Sequence, residues 1–111
     1  MWAMYEENQI VVPASFIALF LTPGSHRPSE TREVIAARHE LCEDLASMLT
    51  EPAQTQRWDL GITEADVLRR IHRGLLGGTA GLSAAEAVWV ATRLAELLDW
   101  DCPLLDDASV D

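Results

Sequence analysis

Apolar side chains recur at helical spacing in three separate blocks of this chain, and that periodicity is the strongest constraint on its fold. Between residues 29 and 50 they fall at Val34, Ile35, Leu41, Cys42, Leu45, Met48 and Leu49, the i, i+3, i+4, i+7 pattern of an amphipathic helix. Ser29 or Thr31 stands where a cap is needed, and Glu30 and Glu33 suit the positive end of the helix macrodipole. Pro52 is expected to stop or bend this helix, because proline lacks a backbone donor and its ring crowds the preceding turn. Ala53 to Leu60 reads as a short continuation ended by Gly61. A second helix opens at Thr63 with Asp66 three residues on, buries Val67, Leu68, Ile71 and Leu75, and closes at Gly77-Gly78 through an expected positive φ. The third carries the clearest signature: Ser83 caps, Glu86 reaches back, and Leu82 can staple onto Ala87. Its apolar line is Ala87, Val90, Ala91, Leu94, Leu97 and Leu98, and it runs to about Trp100 before Pro103 prevents further helix.

The expected fold is therefore all-α, a small helical bundle of three main helices plus an N-terminal short helix or extended segment. Ile10-Val11-Val12 reads as extended, and Pro13 at the first helical position would open a short helix through Phe20, ended by the turn cluster Thr22-Pro23-Gly24-Ser25. Residues 1–9 form a flexible N-terminus, with translation starting at Met1 or Met4; residues 10–103 form a single helical domain; residues 104–111 form an acidic tail.

Charge closes several function classes. All 8 basic residues are Arg, against 18 acids, for a formal net charge of -10. Without Lys there is no P-loop lysine, no Schiff-base lysine and no Ser-Lys dyad. No G-x-S-x-G, G-x-G-x-x-G or CxxC pattern occurs, and no apolar run approaches the length of a membrane span. Cys42 and Cys102 imply no disulfide framework, which fits a reducing cytoplasm.

Each remaining constellation has a bland reading beside its functional one. Arg69 and Arg73 are i, i+4 neighbours that can meet an acidic partner or a phosphate; the plainer reading is a solvated face paired with acids of the first helix. The second and third helices suggest a helix-turn-helix, but the candidate recognition helix has Arg93 as its single base, which disfavours nucleic acid. His39, Cys42 and Glu43, with His72, contain metal-ligand types, yet no spacing repeats and Cys42 fits the apolar stripe, so no metal or other cofactor is assigned. Trp58 and Trp100 sit at expected helix ends beside Asp59, Asp99 and Asp101, and either anchor those ends on the core or face an interface. The apolar run Phe16 to Leu21, with Phe16 and Phe20, is the other interface candidate.

Three stretches, Pro13 to Phe20, Ile35 to Ala46 and Gly61 to Leu68, together resemble a group of short proteobacterial proteins often labelled "ATPase with chaperone activity". The resemblance covers most of residues 10 to 100. The ATPase half of what it implies meets no Walker A pattern here, whereas the chaperone half accords with a small acidic helical protein offering an apolar groove. The favoured expectation is a non-catalytic cytoplasmic interaction or chaperone-like adaptor module, without catalytic residues. It would bind a protein partner, or itself as a homodimer, through Phe16, Phe20, Trp58, Trp100, Arg69 and Arg73. One alternative is a small nucleotide-linked or hydrolytic enzyme using His39, Glu43, His72, Arg69 and Arg73; another is nucleic-acid regulation through the helix-turn-helix-like pair.

Overall fold

Thr31, Thr63 and Ser83 each turn the chain into a helix by accepting a hydrogen bond from a backbone N–H three residues on. A computed structural model describes residues 12–21, 24, 27–78 and 80–105. Among these residues the fold is all-α: α1 (Ala14–Ile17) with a 3₁₀ turn (Ala18–Phe20), α2 (Arg32–Met48), α3 (Thr50–Leu60), α4 (Glu64–Gly77) and α5 (Ala84–Leu98). The expectations for residues 1–9, for the start at Met1 or Met4, for Ile10 and Val11, and for the tail from residue 106 lie outside the described residues. So do Thr22, Pro23, Ser25 and His26.

The chain divides into two compact units, Met1–Leu41 and Cys42–Asp111, with the division falling inside α2. In the first, Pro13 is the residue before α1 rather than its first helical position, and its carbonyl accepts from the Phe16 and Ile17 N–H groups at 3.0 and 3.1 Å. An isolated antiparallel bridge joins Leu21 to Pro28, and Ser29 N–H donates to the Phe20 carbonyl at 2.6 Å. Phe16 is fully buried; it meets His39 edge-on with ring centroids 5.3 Å apart and Phe20 at 5.5 Å.

In the second unit α4 packs against α5, and α3 packs against both. The buried side chains are small: Cys42, Ala46, Ala53, Ala87, Ala91 and Ala95 accompany Val67, Leu68, Ile71, Val90 and Leu94. Two expected stripes hold over most of their length and differ at their ends. On α5 the core takes Ala95 while Leu97 is 39% exposed, and on α2 Ile35, Cys42 and Ala46 are buried while Val34 and Met48 face outward. The reason is packing: an alanine next to a neighbouring helix is buried more completely than a leucine beyond the edge of the contact.

Pro52 does more than bend a helix. Its ring crowds the carbonyl of residue 48, four positions back, and α2 ends at Met48. Leu49 N–H divides between the carbonyls of Leu45 and Ala46 at 3.0 and 3.2 Å, which tightens the last turn, and Leu49 then accepts from Ala53 at 2.9 Å to start α3. Proline is tolerated within the first turn of α3 because N–H groups there have no intrahelical acceptor. Gly78 corrects another expectation: its φ is -87°, so it supplies no left-handed turn. Glycine is needed for space instead, since a Cβ there would lie 2.9 Å from the Gly74 carbonyl oxygen.

Candidate functional site

Two local stops place two tryptophans at one cleft. Gly61 adopts the left-handed conformation (φ 63°, ψ 31°) and its N–H closes α3 on the Arg57 carbonyl, leaving Trp58 in the last turn. Arg57 reaches across the corner to Glu64 of α4 at 3.8 Å. At the end of α5, Asp99 turns left-handed (φ 60°, ψ 41°). Its N–H bonds the Glu96 carbonyl at 3.1 Å and the Trp100 N–H bonds the Ala95 carbonyl at 2.9 Å, a Schellman motif that fixes Trp100 by backbone.

The result is a cleft of about 500 Å³ lined by Glu51, Gln54, Arg57, Trp58, Asp59 and Trp100. This volume lies in the range of clefts that hold ligands, roughly 300–1,000 Å³. Trp58 is 79% exposed and Trp100 half-buried, so the helix-end tryptophans of the sequence come together with Trp58 facing outward. Glu51 and Asp59 are exposed, as are Asp99 and Asp101 on either side of Trp100 in the chain.

The other expected site residues are placed differently. Phe16 is a core residue, Phe20 is half-buried, and Leu21 is the exposed end of that segment. Beside it, within the first unit, lies a second cleft of about 540 Å³, lined by Val12, Ile17, Pro28, Glu30, Arg32 and Ile35. Arg69 pairs with Asp66 on its own helix at 3.3 Å, and Arg70 and Arg73 are exposed on α4.

The geometry gives the catalytic and nucleic-acid alternatives little to use. His72 is 4% exposed on the core face of α4, whereas Arg69 and Arg73 lie on its outer face, so these three do not converge. Glu43 is engaged by Arg93: Nε donates to both carboxylate oxygens at 3.0 and 3.1 Å, and Nη2 donates to Oε2 at 3.0 Å. Arg93 Nη1 donates to Glu96 at 3.0 Å. The hydrogen bonds to Glu43 and then Glu96 hold the Arg93 guanidinium above its ordinary pKa. The single base of α5 is thus already paired with two carboxylates, Glu43 and Glu96.

Among the described residues no group of three or more His, Cys, Asp and Glu side chains is arranged to hold a metal ion, and no helix is long and apolar enough to cross a membrane. Sequence reasoning found both tryptophans but not Glu51, Gln54 or Arg57 as their neighbours. The available signal was helical spacing, since residues 51, 54 and 58 share one face of α3. Compared with protein-family models, curated proteins and solved structures, the chain matches none.

Proposed function

We propose that this chain is a non-catalytic cytoplasmic interaction module, a chaperone-like adaptor, that engages a protein partner through the cleft of Trp58 and Trp100. The observation that carries this reading is the 79% exposure of Trp58 in a cleft shared with a second tryptophan. A large aromatic left in water forgoes the favourable burial it would find in a core, and tryptophan is enriched where protein surfaces meet. The acidic balance of the chain favours partners of opposite charge and steers their approach.

The test compares the intact protein with Trp58→Ala and Trp100→Ala as immobilised baits, and follows how well each suppresses aggregation of a heat-denatured test protein. The proposal expects a reproducible partner, identified by mass spectrometry, or holdase action, either of which the substitutions abolish. Wild type and variants behaving alike in both assays would overturn it. Light scattering on the same samples distinguishes a foreign partner from a second copy of the chain.

A further inference from the structure

Resting on that reading, we infer that the occupant of the cleft is a cationic side chain, arginine or lysine, presented by an extended segment of the partner protein. Three features of the cleft carry this. Tryptophan is the aromatic whose face attracts a cation most strongly, and two line one cleft, Trp58 being largely open to solvent. Exposed carboxylates on the same walls, Glu51 and Asp59, supply acceptors for the donors of a guanidinium or an ammonium. The resident cation, Arg57, pairs with Glu64 of α4 at 3.8 Å, and among the described residues it makes no ion pair with Glu51 or Asp59 on the walls.

Aromatic faces rimmed by carboxylates suit a cation with an apolar stem, because the methylenes lie on the rings while the charged head meets the acids. They suit an anion poorly, and they give a purely aliphatic side chain nothing to pair with Glu51 and Asp59. A partner segment is favoured over a small free cation because the cleft is open and shallow enough for Trp58 to remain mostly solvated. Affinity then has to come from several residues of one chain acting together.

The full chain carrying 5-fluorotryptophan is titrated with short Gly/Ser peptides bearing spaced arginines, spaced leucines or spaced glutamates, and with free arginine and spermidine, while fluorine resonances are followed. The arginine peptide is expected to shift the Trp58 and Trp100 signals saturably. Its affinity should fall about tenfold in Trp58→Ala, fall several-fold in Asp59→Asn and Glu51→Gln, and rise in Arg57→Gln, which removes the competing charge. Raising salt from about 0.1 to about 1 M should weaken it further.

Preference for the leucine peptide, with Arg57→Gln neutral, would overturn the cationic occupant while leaving the interaction module standing. Free arginine or spermidine binding as tightly as the peptide would overturn the partner segment. No response to any probe, with a Trp58-dependent protein still captured by the bait, also overturns the inference alone; absence of both would overturn the module too. Trp58→Phe, which keeps an aromatic face, should retain part of the affinity and separates a folding defect from loss of the ring.

Discussion

Breaking the Arg93–Glu43 pair measures how far α2 and α5 depend on one another within the second unit. The two side chains meet through three charge-assisted hydrogen bonds of 3.0–3.1 Å, and are 34% and 31% exposed. At that separation the attraction between full charges is roughly 1 kcal/mol at the dielectric of water and roughly 5 kcal/mol at an effective value of about 20. Solvent reaching a third of each side chain pulls the result toward the lower figure, while the forked geometry raises it above the 0.2–1 kcal/mol typical of exposed pairs (approximate range). A coupling energy of about 1–2 kcal/mol follows. It should be read from a double-mutant cycle of Arg93→Met and Glu43→Gln by urea unfolding at neutral pH. Arg93→Met alone should not approach the roughly 3–5 kcal/mol of a stranded buried charge, because Glu43 can still reach water. A folded-state pKa raised above the unfolded one gives a contribution that is complete below the unfolded value and lost only as pH climbs through the folded value. For Arg93 that window lies far above neutrality, so the share of stability set by its shift should be flat from about pH 6 to 9. A coupling below about 0.3 kcal/mol, or one unmoved by about 1 M salt, would refute the reasoning.

Three further outcomes are expected. Ser83→Ala, which removes one arm of the capping box with Glu86, should cost about 1 kcal/mol in urea unfolding, and more than Thr31→Ala, whose cap has no reciprocal partner at N3. Gly78→Ala should lower the thermal midpoint although its φ is ordinary, because the new Cβ meets the Gly74 carbonyl; an unchanged midpoint would show that this loop gives way freely. Trp58→Ala should leave unfolding free energy within about 0.5 kcal/mol of wild type, as its ring contributes little to the core, and a larger loss would place it among structural residues.

What could be read in the sequence is what is decided within one helical turn. Thr63 with Asp66 and Ser83 with Glu86 are contacts between residues three apart, so the residue types announce them before any packing is known. The last turn of the α5 stripe is not legible because Ala95 and Leu97 are both compatible with a buried face, and only the neighbouring helices decide between them. Arg93 and Glu43 are separated by 50 positions, and no local pattern links a base on one helix with an acid on another. Trp58 was recognised by its acidic neighbours, but the cleft that joins it to Trp100 depends on where α3 and α5 end in space. Pro52 was ambiguous for a different reason: the same residue ends one helix and sits in the first turn of the next, and local sequence does not choose between stopping and bending.

The stop at Asp99 has a consequence for anyone seeking a sturdier version of this protein. An L-residue held at positive φ sacrifices local stability, on the order of 1 kcal/mol, that glycine would recover. A carboxylate at a helix C-terminus adds a second unfavourable contribution by facing the negative end of the dipole. Stability-guided redesign would therefore choose Asp99→Gly early, and would gain robustness by erasing an anion beside Trp100. Because Asp99 does not itself line the cleft, that gain leaves the carboxylates of Glu51 and Asp59 in place, and sturdiness and recognition can be adjusted at separate positions.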